Sequence, residues 1–189
     1  MLANAVLSTN YAHDQAMPQL RGGLDFGVAL PVRHASLWLR NAAGVAHGDR
    51  TDPYANFFLG GFGNNYVDAR IDKRYREYYS FPGFRLNEIS GKSFTRHMVE
   101  GNLPPVVFES LGTPAFHLAW LRSSVFASAL WTDPAHSAER ARYGNAGAQI
   151  DLRLSVLHWY EMTLSAGYAV GYRGGTRAGD EWMVSLKIM

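Results

Sequence analysis

From Gln149 to Val156 the chain alternates without error. Ile150, Leu152, Leu154 and Val156 fall on one side, and Gln149, Asp151, Arg153 and Ser155 on the other. A period of two belongs to a β-strand, whose successive side chains point to opposite faces; a helical period would mix the two sets. The pattern recurs along the chain. Leu164, Ala166, Tyr168, Val170 and Tyr172 oppose Ser165, Gly167, Ala169 and Gly171. Trp182, Val184, Leu186 and Ile188 oppose Met183, Ser185, Lys187 and Met189, and Leu24, Phe26, Val28 and Leu30 oppose Asp25, Gly27 and Ala29. Further strands are expected at about 2–10, 35–46, 54–60, 92–102 and 115–131. That makes roughly nine strands, each near the 9–11 residues that cross a bilayer at a tilt. Ala135 to Ala141 offers at most one helical turn inside a loop.

Connections alternate in length. Pro31–His34, His158–Glu161 and Gly174–Thr176 are short, while Gly61–Gly91 and Asp133–Asn145 are long and polar. Short turns at one end and long loops at the other are the habit of a membrane barrel. A soluble sandwich or lipocalin-like binding protein is the competing all-β reading, with the apolar face turned inward. Small residues on the polar faces, and Trp159, Tyr160, Tyr172 and Trp182 near strand ends, favour the membrane case.

Composition narrows the classes. Lys+Arg is 18 and Asp+Glu 16, a formal charge of +2, with Arg supplying 15 of the basic residues. So small an excess excludes a nucleic-acid interface built on gross charge. Aromatics at 13% and charged residues at 18% exclude intrinsic disorder. Cys is absent, which removes disulfides, zinc–thiolate sites and Cys nucleophiles. The longest nearly uncharged run, Ser110–Thr132, carries Arg122 near its middle and Pro114 near its start. A central Arg costs a spanning helix about 2.5–3.5 kcal/mol, so no transmembrane helix is expected. Met1-Leu2-Ala3-Asn4 lacks the basic region of a signal peptide.

One segment carries a family resemblance. Phe57-Phe58-Leu59-Gly60-Gly61 precedes Tyr79-Ser80-Phe81-Pro82-Gly83-Phe84-Arg85, and a strand bearing Glu100 then runs into Pro104-Pro105. This resembles the C-terminal barrel of the bacterial surface antigen superfamily of outer-membrane proteins, typified by BamA and TamA. There a strand ends in Gly-Gly, a long loop folds into the lumen with Val-Arg-Gly-Phe or Val-Arg-Gly-Tyr at its tip, and the next strand carries a Glu before a Pro turn. The resemblance covers most of the chain, through the last four strands to Met189.

It implies an antiparallel transmembrane β-barrel in the outer membrane of a Gram-negative-type bacterium. Residues 1–189 would be the C-terminal part of a larger barrel of about sixteen strands, with open edges near 2–10 and 180–189. The loop 61–91 would fold into the lumen. Its tip would be Phe81, Pro82, Gly83, Phe84 and Arg85, set against the wall formed by 92–102 and 115–131. Pro82 stands where the family has Arg, and Phe126-Ala127-Ser128-Ala129-Leu130 lacks the Asp and Gly of the family's Phe-x-Asp-x-Gly. The family's Arg–Asp lock is therefore expected to be missing or rebuilt. The C-terminus ends in Ile188-Met189 rather than an aromatic.

From the alternation, Ile150, Leu152, Leu154, Leu164, Tyr168, Val184 and Leu186 should face lipid. Gln149, Asp151 and Arg153, with Ser165 and Gly167, should face the lumen, and by resemblance Glu100 joins them. Asp151 and Arg153 could line a pore, hold the loop, or simply satisfy buried charge. The loop crowds Asp68, Arg70, Asp72, Lys73, Arg74, Arg76 and Glu77 beside Tyr66, Tyr75, Tyr78 and Tyr79, suited either to a lumenal plug or to a solvated surface.

His34-Ala35-Ser36 has the His-x-Ser spacing of outer-membrane lipid A deacylases, a remote alternative in which His would deprotonate Ser and a carboxylate would orient His. The first Glu, however, is Glu77, inside the loop. No His set has metal-ligand spacing, and Gly60-Gly61-Phe62-Gly63 lacks the strand–helix context of a phosphate loop. The expectation is a non-enzymatic barrel without cofactor. It would be bounded by membrane lipid with its lipopolysaccharide leaflet, serve an unfolded or secreted client or an upstream module, and have no nucleic-acid partner.

Overall fold

The computed structural model describes residues 1–12, 15–62, 73–109, 111–113, 115–157 and 159–188. The loop residues Gly63, Tyr66, Asp68, Arg70 and Asp72, and likewise Ser110, Pro114, His158 and Met189, lie outside the described residues.

The strands in chain order are β1 (Leu2–Ala12), β2 (Gln15–Ala29), β3 (Ser36–Ala46), β4 (Phe57–Leu59), β5 (Ile89–Gly91), β6 (Ser93–Asn102), β7 (Val106–Val107), β8 (Gly112–Thr113), β9 (Phe116–Thr132), β10 (Ala141–Val156), β11 (Tyr160–Arg173) and β12 (Thr176–Ile188). Eight of them form one antiparallel meander, β1-β2-β3-β6-β9-β10-β11-β12. β7 and β8 pair with β9, and β4 and β5 form a hairpin of their own in the connection between β3 and β6. Among the described residues β1 and β12 have one neighbour each, so the sheet is open. The eight strands run 10–17 residues. No helix among the described residues is long and apolar enough to cross a membrane.

Two sequence expectations are corrected. Residues 54–60 were expected as a wall strand. Pro53 instead opens a 3-10 turn, and Gly60 (φ 145°) and Gly61 (φ 69°) bend the chain away after three strand residues. The segment thus belongs to the loop, and the meander has eight strands rather than nine. β2 and β10 are also longer than their alternation suggested. β10 begins at Ala141, because Gly144, Ala146, Gly147 and Ala148 extend it with small residues that give no polar–apolar contrast. Gly174 and Gly175, both at positive φ, close the β11–β12 hairpin, where an L side chain would be strained.

Residues directly opposite in an antiparallel ladder share a face, so the registers sort the sheet into two. Ile150, Leu152 and Leu154 lie on the same face as Leu164 and Met162, and Tyr168 pairs with Trp182, Ala166 with Val184, and Leu164 with Leu186. Gln149, Asp151 and Arg153 lie on the other face with Gly167, Ser165 and Thr163. The apolar face is open, with Val184 55% and Ile150 47% exposed, whereas Gln149 (2%) and Ser165 (1%) on the polar face are buried. Leu152, Leu154, Tyr168 and Leu186 are half-buried among their outer-face neighbours, and Leu164 is exposed.

Candidate functional site

The buried polar face owes its burial to the β3–β6 connection, which lies across it. Small residues on the inner positions of β10 and β11 make this possible. A Cβ on Gly167 would stand 3.1 Å from the Phe62 ring, and one on Gly171 2.5 Å from the Gly83 carbonyl oxygen. Two apolar clusters fill the gap. Phe57, Leu59, Phe81, Phe84 and Ile89 of the loop pack with Ala46, Phe94 and Leu130 of the wall. Phe62 and Tyr75 pack with Met98, Phe126 and Ala169, and Tyr75 stacks on Phe126 with centroids 4.3 Å apart. Each buried aromatic contributes about 1.5–3 kcal/mol by leaving water, so the loop carries a core of its own into a polar cradle.

The tip is fixed by backbone groups. Phe81, Pro82, Gly83 and Phe84 are all buried. The Asn145 side-chain amide donates to the Pro82 carbonyl at 2.8 Å. The Glu181 carboxylate accepts from the Phe62 N–H at 3.1 Å and the Gly83 N–H at 3.2 Å. Behind the tip, the Phe81 N–H donates to Gly61 O at 3.0 Å, and the Ser80 hydroxyl to the same oxygen at 2.7 Å. Glu181 thus holds the tip through two main-chain donors, and no Arg takes part in this contact.

Two placements differ from expectation. Arg85 is exposed, and its N–H turns back to Glu88 at 2.7 Å, so it does not serve as the tip cation. The tip also reaches beyond 92–102 and 115–131. It touches Phe94 and Leu130 there, but its polar anchors stand on β10 and β12, and Gly83 lies against Gly171 and Gly179. The missing side chains of those glycines let the main chains approach this closely.

Among the described residues, charged side chains form two relays from wall to loop, beside the Arg50–Asp133 pair at 2.5 Å. In the first, Arg40 bonds Asp25 at 2.6 Å and Glu100 at 2.8 Å, and Arg76 of the loop meets the other side of Glu100 at 2.5 Å. Glu100 is fully buried, so both guanidinium groups neutralise a carboxylate that water cannot reach. In the second, Lys73 meets Asp151 at 3.1 Å and donates to the Ser124 hydroxyl at 2.7 Å. Gln149 and Ser165 also donate to Asp151, at 2.6 and 2.7 Å. Burial pulls the Lys73 ammonium below the usual lysine range, and the Asp151 carboxylate pulls it part of the way back. Burial pushes the Tyr75 phenol well above its usual range. Arg96 donates to the main-chain carbonyls of Tyr75 and Glu77. Arg153 pairs with Glu161 at the wall's far end.

Of the residues expected on the lumenal face, Glu100 and Asp151 therefore hold the loop, Gln149 supports Asp151, and Arg153 stands apart from the tip. Glu181, Asn145, Arg40 and Asp25 were missed. Extending the β12 alternation one step back from Met183 places Glu181 inward, and it is the strand's only inward carboxylate. Ser36 accepts hydrogen bonds from Trp38 and Asn102, both at 3.2 Å, while His34 is exposed in a turn, so the His-x-Ser pair is not assembled. No group of three His or acidic residues among the described residues could hold a metal ion.

Gly83→Ala should dislodge the tip. The added Cβ would lie 2.4 Å from Gly171 N and 2.6 Å from the Val170 carbonyl carbon, at a φ of 92°. Neither backbone can yield without breaking the β10–β11 or β11–β12 ladder. Trypsin cleavage after Arg85 should become several-fold faster than in the parent, with strand content by circular dichroism unchanged. Unchanged cleavage would show that the tip does not depend on this contact. Compared with known proteins, the chain matches no family model, no curated protein and no solved structure.

Proposed function

We propose that the chain is wall and plug of an outer-membrane β-barrel of surface-antigen type. It acts without a chemical reaction, in translocation, outer-membrane assembly or anchoring of an upstream module, and an unfolded or secreted protein is the client class. The observation that carries this reading is the inversion of the two faces. Water rarely tolerates contiguous exposed apolar patches beyond a few hundred Å². Yet Leu20, Val99, Val125, Ile150, Val184 and Trp182 are exposed on one face, while the charged residues are drawn under a loop on the other.

The distribution of charge along the outer face supports it. On β11 that face reads Met162, Leu164, Ala166, Tyr168, Val170 without a charge, between Tyr160 and Tyr172. On β10 and β12 the outer charges, Arg142, Arg177 and Asp180, fall at one end. An apolar band between aromatic and polar rims is what a bilayer selects. A soluble sandwich or lipocalin-like protein would bury this face. The long loop supports the surface-antigen reading in particular, because its Phe81–Phe84 tip lies against the inner face as in the resemblance.

Refolding into detergent micelles tests the proposal. An unboiled sample should migrate faster than a boiled one on a denaturing gel and should lose its β-sheet dichroism when the detergent is removed. A chain that stays folded, monomeric and soluble without detergent, with migration indifferent to boiling, would overturn it.

A further inference from the structure

Among the described residues, part of the inner face stays open beside the loop. Between its Lys73–Tyr79 segment and the inner positions of β1, β2, β3 and β6 lies a cavity of about 840 Å³. That is within the roughly 300–1,000 Å³ range of small-molecule sites. Arg21, Arg40 and Arg96 line it from the sheet, and Lys73 and Arg76 from the loop. The lining acids are Asp25 and Glu77, so cations outnumber them.

The cations are not equivalent. Arg40, Arg76 and Lys73 are engaged by carboxylates in the two relays. Arg21 is half-buried and lies 4.1 Å above the Tyr78 ring, and among the described residues its guanidinium meets neither a carboxylate nor another acceptor. A guanidinium held over a ring face spends no N–H group on a hydrogen bond to an acceptor there, so its fork stays free for an anion. Arg96 is 3% exposed; its two terminal nitrogens reach main-chain carbonyls, and its Nε is buried without an acceptor. Two arginines on one cavity are therefore balanced by no carboxylate of their own. We propose that this cavity binds a small multivalent oxyanion of phosphate or diphosphate size, with Arg21 as the bidentate donor. A planar fork matched to two oxygens is the strongest such contact a side chain makes. The assignment goes beyond the barrel reading, because it needs only the inner face and the loop.

Titration calorimetry of the folded full chain with inorganic pyrophosphate tests it. Saturable binding is expected, weakened at least tenfold by Arg21→Gln. Arg21→Lys should fall between, because it keeps the charge and loses the fork. Arg177→Gln, which removes a cation paired with Asp180 at the outer rim, should leave binding unchanged. Absence of saturable binding to the parent chain would overturn the assignment. So would equal binding by Arg21→Gln, or equal weakening by Arg21→Gln and Arg177→Gln, which would mark diffuse attraction. Circular dichroism of each variant separates lost binding from lost folding; should Arg21→Gln not fold, the Arg21→Lys comparison decides. The boiling-dependent migration of the same sample reports on the barrel separately, so a soluble chain that binds pyrophosphate would refute the barrel and keep the site.

Discussion

Replacing Ile150 by Arg is expected to destabilise the folded chain by about 2–4 kcal/mol in a bilayer, the cost of a cation on the lipid face near the midplane. Ile150 is 47% exposed and stands between Ser123 on β9 and Ala166 on β11, away from both rims. The size of the effect discriminates sharply. On a surface bathed in water, exchanging a half-exposed Ile for Arg changes stability by about 0.5 kcal/mol or less. Leu152→Arg, two residues along the same face, should match it. Urea titration in lipid vesicles, followed by tryptophan fluorescence, gives the number. A near-zero change at both positions would mean that water and not lipid covers this face, and the membrane reading would fall.

Glu100→Ala is expected to cost about 3–5 kcal/mol, the range for removing one partner of a buried charge pair. Its carboxylate is fully buried and holds Arg40 from β3 and Arg76 from the loop. Without it, two guanidinium groups face each other over a space with only Asp25 in reach of Arg40. The loop, rather than the sheet, should yield first, because Arg76 stands on a short turn of the loop and Arg40 is fixed in a ladder. Trypsin should then cut at Arg74 and Arg76 while the strands persist. Glu100→Gln, which keeps an acceptor and loses the charge, should have a smaller effect. A loop as protected as in the parent would show that the apolar clusters, Glu181 and the Lys73–Asp151 pair hold it down without Glu100.

How much was legible in advance differed along the chain. The strands from Gln149 to Val156 and from Leu164 to Tyr172 were plain, because large apolar residues alternate there with polar or small ones. The same periodicity, carried across the registers, assigned Ile150 and Asp151 to opposite faces. It faded at 141–148, where Gly and Ala occupy both faces, and it misled at 54–60, where Phe57 and Leu59 alternate with Phe58 and Asn56 but pack into a hairpin of the loop. Alternation reports a two-faced environment, and a short hairpin packed on a wall with Phe58 and Ser90 turned outward has one as well.

By itself, then, the sequence determined that this chain is an antiparallel all-β protein and which residues share a face, because the pleat imposes a period of two whatever surrounds it. Only the tertiary structure decided which face is covered, since a polar–apolar alternation is the same whether read from lipid or from water. It also decided the loop's partners. Glu181 and the Phe62 and Gly83 amides are 119 and 98 residues apart, and no local pattern links a carboxylate to donors that every residue but proline carries. This anchor of the tip is for that reason invisible in the sequence: its donors are main-chain groups, and what selects them is the close approach that Gly83, Gly171 and Gly179 allow.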